Sequence, residues 1–217
     1  MNNKIIALFF VTFSLFLLNG CVNKAVDYDY TAFRESKPSS ILVVMPLNES
    51  NEINAGYGVL SKVTFPLAEA GYYVFPVVVV DEIFKQNGLT VASDIQAVNL
   101  TKLHEIFNSD AILYLNIKSY GSTYQVIQSD TRVTLEARLV DARNGTLLWE
   151  GAATASSLEQ QSNNSLLVSL VTAVVEQISS TITDKSIEMA DIAAQRLLLP
   201  TPLKHNGILY GPRSTIH

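Results

Sequence analysis

Hydrophobic and polar positions follow a different rhythm in each part of the chain. Behind Lys4, residues Ile5 to Leu18 form an apolar run broken only by Thr12 and Ser14. The run is shorter than the roughly 20 apolar residues a spanning helix needs, and it lacks the polar face of a soluble amphipathic helix. A charged start, a short apolar core and a small residue at the end describe a secretory signal over residues 1–20. Residues 21–38 are polar, mixed in charge and without apolar period, which reads as a tether. Extended at about 3.3 Å per residue it would reach about 50 Å, less if Tyr28, Tyr30 and Phe33 pack on the domain that follows.

That domain is expected over 39–199. Ser39 to Leu47 is a short β-branched run ended by Pro46 and reads as a buried strand. The polar, glycine-containing segment 48–58 should be a loop. Leu60, Val63, Leu67 and Ala70 recur at helical spacing, with Pro66 disturbing the middle and Gly71 suited to a stop. Tyr72 to Val80 (YYVFPVVVV) reads as a second strand, followed by a short helix from Asp81 to Asn87-Gly88. Asn99 should cap a further helix whose apolar face is Leu100, Leu103 and Phe107.

From residue 111 the period falls to two. Ala111 to Tyr120 reads as a strand, Gly121-Ser122 as a turn, and Tyr124 to Gln128 as a continuing strand. Thr131 to Val140 alternates cleanly: Val133, Leu135, Ala137 and Leu139 on one face, Arg132, Thr134, Glu136 and Arg138 on the other, as in an antiparallel sheet with one wet face. Asp141 to Gly145 is a hairpin turn, in which Asn144-Gly145 supplies positive φ, and Thr146 to Ala155 returns. Ser165 to Ile182 carries an apolar stripe on a long helix interrupted by Glu176 and Gln177, and a second helix is expected near Ile187 to Leu199. Pro200 and Pro202 close regular structure, and 200–217 is a turn-rich tail. The sum is an α/β fold, an α+β sandwich with a mixed sheet, helices packed on it and a long C-terminal helix.

Composition narrows the function classes. The hydrophobic fraction of 48% leaves enough for one core, and the net charge is −5. With a pI near 5.2 and no long Lys/Arg cluster, a basic nucleic-acid face is not expected. The single cysteine, Cys21, stands directly behind Leu18-Asn19-Gly20. Leu-x-Gly-Cys resembles the bacterial lipobox. The resemblance implies a thioether to diacylglycerol, cleavage before Cys21 and an N-acyl chain, with no other cofactor. At about 0.8 kcal/mol per buried methylene, such chains hold a protein to a membrane durably. Val22 in place of Asp behind the cysteine implies, by the sorting rule of Gram-negative lipoproteins, the periplasmic face of the outer membrane.

A second resemblance lies in LVDARNGTLLWEG, residues Leu139 to Gly151. It is similar to the hairpin of small periplasmic α/β domains: the N-terminal domain of TolB, CsgG, and auxiliary lipoproteins of ABC-type transport systems. Together with PSSILVVMPLNES, the AGYY strand entry and the ILYGPR tail, the chain resembles an uncharacterised family of bacterial lipoproteins across most of residues 39–212. That implies a membrane contact through the lipid, a partner complex in the envelope and no assigned reaction. The paired amphipathic hairpins of a CsgG barrel are not seen.

The candidate chemistry is sparse. His104 neighbours Glu105 on one helix, so the two do not share a face; His205 and His217 lie in the tail. No set of His, Asp and Glu has metal-ligand spacing, and no Gly-x-Ser-x-Gly elbow is present. Gly56-Tyr57-Gly58 before a helix is either a weak anion cradle or a flexible helix entry. Asn48, Glu49 and Glu52 either bind a cation or are simply solvated. Tyr114, Tyr120 and Tyr124 either expose an aromatic row or pack beneath a helix. Trp149 is either a large buried side chain or an exposed anchor. The reading favoured is a non-enzymatic accessory of an envelope secretion, assembly or transport complex, contacting partners through the sheet face and the Asn48–Gly58 loop. The alternative is a small-ligand binder with its pocket at the carboxyl ends of the first two strands, and after it a hydrolase. The oligomeric state is left open.

Overall fold

The computed structural model describes residues 28–124, 129–161, 180–201 and 206–215. The expected signal, Cys21, most of the helix expected over Ser165–Ile182, His205 and His217 lie outside them.

A six-stranded mixed sheet organises the domain. Its strands are β1 (Ser40–Val43), β2 (Leu47–Asn48), β3 (Tyr73–Val74), β4 (Ala111–Tyr124), β5 (Ser129–Asp141) and β6 (Leu147–Ser156). The order is β3-β1-β4-β5-β6, with β2 pairing β4 beyond the end of β1. β1 runs parallel to β3 and β4, and β2 parallel to β4, whereas β4, β5 and β6 are antiparallel. This is the mixed sheet the sequence leads one to expect, with helices packed on it and a C-terminal helix.

Two clusters of buried side chains cover opposite faces. Helices α2 (Ala55–Glu69) and α7 (Ser180–Leu198) pack on the face that carries Leu113, Leu115, Ile117, Val133, Leu135 and Leu139. Helices α3 (Val77–Gln86), α4 (Ala92–Gln96) and α5 (Leu100–Phe107) cover Leu42, Val44 and Ile112 on the other. A short helix α6 (Ser157–Gln161) follows β6. The alternation over 131–140 is realised: Val133, Leu135, Ala137 and Leu139 are buried, and their odd-even partners are not. Asn99 caps α5, its side chain accepting from the Thr101 N–H at 2.8 Å.

Four expectations are corrected. The tyrosine–valine run is not one strand. β3 ends at Val74, Pro76 sits at the helix N-cap with φ −57°, and Val77 to Val80 form the first turn of α3. Proline has no N–H for a sheet ladder and a φ suited to helix entry. Gly121-Ser122 is not a turn: both residues stay in β4, paired with Arg132 and Thr131, with Gly121 at φ +116°. β4 thus runs on to Tyr124, and the rest of the strand expected over Tyr124 to Gln128 lies outside the described residues. Helix α4 was not foreseen; buried Ile95 holds it, and Gln96 Nε2 donates to the carbonyls of Met45 and Leu115 at 2.9 and 3.0 Å.

The fourth correction concerns the tether. Residues 31–36 form a helix, α1 (Thr31–Ser36), with Phe33 buried in the main cluster and Tyr28 and Tyr30 packed against it. The folded unit thus takes in residues 28–38, because three aromatic side chains there find apolar surface to cover. At the other end Ile208 is buried, Tyr72 Oη donates to the Leu209 carbonyl at 2.6 Å, and the Gly211 N–H donates to Ala70 O at 2.7 Å.

Candidate functional site

The segment 48–58 divides into a braced loop and a helix entry. Asn48 closes β2 and its Nδ2 donates to the Glu52 carbonyl at 2.8 Å, while its Oδ1 accepts from the Ser50 N–H and hydroxyl at 3.0 and 2.7 Å. Glu49 accepts from Asn116 Nδ2 at 2.7 Å and from Lys118 Nζ at 2.6 Å. Those two hydrogen bonds, Lys118 first, hold its carboxyl below the usual range. Asn48, Glu49 and Ser50 thus brace the loop on itself and on β4, and Ile53 stands outward among exposed Asn51, Glu52 and Asn54. Ile53 is 90% exposed and Tyr57, one turn into α2, 51%. Lys85 Nζ lies 5.2 Å from the Tyr57 ring centre and pairs with Asp81 at 2.6 Å.

Gly56 and Gly58 do not stand in a loop ahead of the helix. Both lie within α2, where a side chain at Gly56 would crowd Met45 Sδ at 3.2 Å and one at Gly58 would strike Tyr120 Oη at 2.5 Å. They let the helix approach the sheet closely. The three tyrosines form no common row either. A register shift between Ile117 and Ser119 sends Tyr114 to one buried cluster and Tyr120 to the other; the Tyr124 side chain lies outside the described residues.

Beyond the hairpin turn, sequence reasoning missed a charged cluster. Asp141, 1% exposed, accepts from the Arg143 N–H and Nε at 2.8 and 2.9 Å on one oxygen. On the other it accepts from Arg143 Nη2 and Ser36 Oγ, both at 2.6 Å. Burial pushes the carboxyl up, but these donors outweigh it and bring it down to about 2. Asp110 is tied in the same way by Ser39 and Ser40, through backbone and hydroxyl groups at 2.6–3.0 Å. The Asp-x-Arg spacing in the turn was the visible signal; the α1 serine lies too far away in the chain to be seen.

A cavity of about 380 Å³ adjoins this cluster, lined by Ala32, Glu35, Ser36, Arg143, Thr146 and Leu148 among others. It lies where Ala111 pairs with Asp141, the amino end of β4 and of its parallel neighbour β1. That is the opposite end of the sheet from the expected ligand pocket.

In the turn itself only Gly145 takes positive φ, at +77°. Asn144 acts through its side chain, which accepts from the Thr146 N–H at 2.9 Å. Trp149 is 1% exposed, donates from Nε1 to the Asn206 carbonyl at 2.9 Å and lies across Gly151, where a Cβ would come within 2.4 Å of the indole. It is a core residue with no face left for a partner. His104 bonds to the Ser109 carbonyl at 2.9 Å. Among the described residues, no group of three His, Cys, Asp or Glu is placed to hold a metal, and no helix is long and apolar enough to cross a membrane.

Among the described residues, packing contacts run from Tyr28 to Ser214. A family model described as "Putative lipoprotein GNA1162-like" matches residues 28–213, nearly the same span. The chain belongs to the GNA1162-like lipoprotein family. It is 54% identical over 197 residues to the lipoprotein NMB1124/NMB1162 of Neisseria meningitidis serogroup B, covering 90% of this chain and 91% of that one. The crystal structure of lipoprotein GNA1162 from Neisseria meningitidis is similar with a TM-score of 0.52 and 53% identity, over 66% of this chain and 99% of that chain. A PelC dodecamer from Paraburkholderia phytofirmans has a chain similar at TM-score 0.45 and 14% identity, over 76% of this chain and 91% of that chain, a degree of likeness at which function does not transfer. Like other members of the GNA1162-like family, then, the chain is a lipoprotein, which implies a membrane held through lipid.

Proposed function

We propose that the protein is anchored by acylated Cys21 at the periplasmic face of the outer membrane and serves there as a non-enzymatic accessory of an envelope secretion, assembly or transport complex. Family membership supports the lipid, and Leu18-Asn19-Gly20 before Cys21 with Val22 after it supports the site and the membrane. The Leu139–Gly151 hairpin, which in sequence resembles that of auxiliary transport lipoproteins, agrees with an accessory role. The observation that carries the adaptor reading is Ile53, 90% exposed on a loop braced through Asn48, Glu49 and Ser50. A braced loop presenting an apolar side chain, with Tyr57 beside it, fits a protein contact, since anchors of this kind dominate interface energies. Lipidation raises local concentration, so a small interface suffices. Asp141 takes donors on both carboxylate oxygens and Asp110 four on its Oδ2, and both tie chain segments together.

The test is site-specific photo-crosslinking in intact envelopes. A crosslinker at Ile53 or Tyr57 should give a discrete adduct, and one at exposed Lys102 on α5 should not. Equal adducts at all three positions, or none at Ile53 and Tyr57, would remove the adaptor surface. Cys21→Ser should move the protein from membrane to soluble fractions.

A further inference from the structure

The point at which the chain enters the fold constrains how the domain stands on its membrane. Tyr28 Oη accepts from the Glu150 N–H at 3.0 Å, and the Tyr28 ring lies 4.8 Å from that of Tyr30, whose hydroxyl donates to the Gly207 carbonyl. Phe33 is buried just beyond. The chain is therefore fixed from Tyr28 onward. Glu150 pairs with Arg138 and Arg138 with Tyr114, so the entry point lies on the Tyr114 row of the sheet. From that row β4 runs ten residues to Tyr124, about 33 Å at about 3.3 Å per residue. On the near side of the row lie α1 and the Asp141–Gly145 turn, joined through Ser36 and Arg143.

Only seven residue steps separate Tyr28 from Cys21, about 24 Å when fully stretched. An upright pose with the Tyr124–Ser129 end on the lipid would lift Tyr28 about 33 Å above it, beyond the tether's reach. We propose that the domain stands with its α1 end toward the membrane surface and the far end of the β4–β5 hairpin away from it. This rests on acylation of Cys21. The 49–54 loop leaves the sheet at Ile117, past the Tyr114 row, because Asn48 pairs with Ile117 and the Glu49 N–H donates to its carbonyl at 2.9 Å. Ile53 and Tyr57 are thereby carried on the side turned away from the lipid. The partner of the lipid-facing end is the bilayer that holds the acyl chains, and any protein partner is met on the far side.

The sequence makes the measurement clean, since acylation consumes the only native thiol. Donor dyes are placed at Glu35→Cys on α1 or Ser129→Cys at the start of β5, both exposed positions, in the acylated full-length chain. The protein is reconstituted in phosphatidylethanolamine–phosphatidylglycerol vesicles carrying a headgroup-labelled acceptor lipid. Energy transfer from position 35 should exceed that from position 129 at least twofold. Inserting twenty Gly/Ser residues after Asp27 should bring the ratio close to one. Equal or reversed transfer in the unextended chain, or a ratio that survives the insertion, overturns the orientation while leaving the anchor intact. Failure of the acylated chain to float with vesicles would instead overturn the anchor, and the orientation with it.

Discussion

Asp141 is the residue on which the hairpin turn and the distant helix α1 converge. It closes β5, its N–H donates to the Thr146 carbonyl across the turn, and its carboxylate holds both Arg143 and Ser36 of α1. A carboxyl whose folded value is depressed contributes stability above its unfolded value and loses it as pH falls through the folded one. From 3.8 to about 2, that contribution is about 2 kcal/mol. It is present in full above about pH 4 and fades toward pH 2. Asp141→Asn in the soluble Cys21→Ser chain should lower stability by about 2 kcal/mol at pH 7, with the difference from the parent shrinking toward pH 2. Urea denaturation at both pH values would show it, and a deficit that does not change with pH would mean that packing, not ionisation, holds the carboxylate. Single residues were legible where their chemistry is local: Asn99 as a cap, Gly145 as the positive-φ residue, Trp149 as a tryptophan with one of its two readings a core position. They were not legible where the partner is distant. Nothing near Gly58 announces Tyr120, and nothing near Asp141 announces Ser36.

At the scale of elements, the run Val77 to Val80 shows how propensity yields to context. Four β-branched residues favour a strand, yet Pro76 stops the ladder and the buried positions Val80 and Phe84 fall one helical turn apart. The two readings differ measurably. In a strand Val78 and Val80 would share a face and truncation would cost the same at each. In the helix Val78 is 77% exposed and Val80 is buried. Val80→Ala should therefore cost about 2 kcal/mol, while Val78→Ala should be neutral or slightly stabilising, because alanine is the better helix former. Thermal unfolding of the two variants settles it; matching losses would return the segment to the sheet. The long β5 strand was readable because from Thr131 to Leu139 one face is core and the other is open to water. The turn expected at Gly121-Ser122 was misread because a glycine also marks irregular strand, and only the cross-strand partner at Arg132 distinguishes the two.

The whole molecule depends on segments that the local sequence pattern leaves outside the domain. Residues 28–38 have no apolar periodicity, since α1 is short and contributes one buried side chain, Phe33, flanked by two half-buried tyrosines. The tail likewise contributes single contacts: Ile208 in the core, the Asn206 carbonyl on Trp149, Gly211 on Ala70. Periodicity cannot detect elements whose few buried residues follow no repeat. The family model begins at residue 28 all the same, as the packing requires. Two truncations of the soluble chain test the boundary. A fragment starting at Tyr28 keeps every contact described and should unfold at the same temperature as the mature Cys21→Ser chain. One starting at Ser39 loses the Phe33 burial, about 3 kcal/mol by itself, along with the Ser36 bond to Asp141 and the Tyr28 bond to Glu150. Against a total of about 5–15 kcal/mol for a domain, that fragment should melt far lower or fail to fold. If it matched the longer fragment, residues 28–38 would be tether after all, the reach from Cys21 would return to about 50 Å, and the tether could no longer set the orientation of the domain.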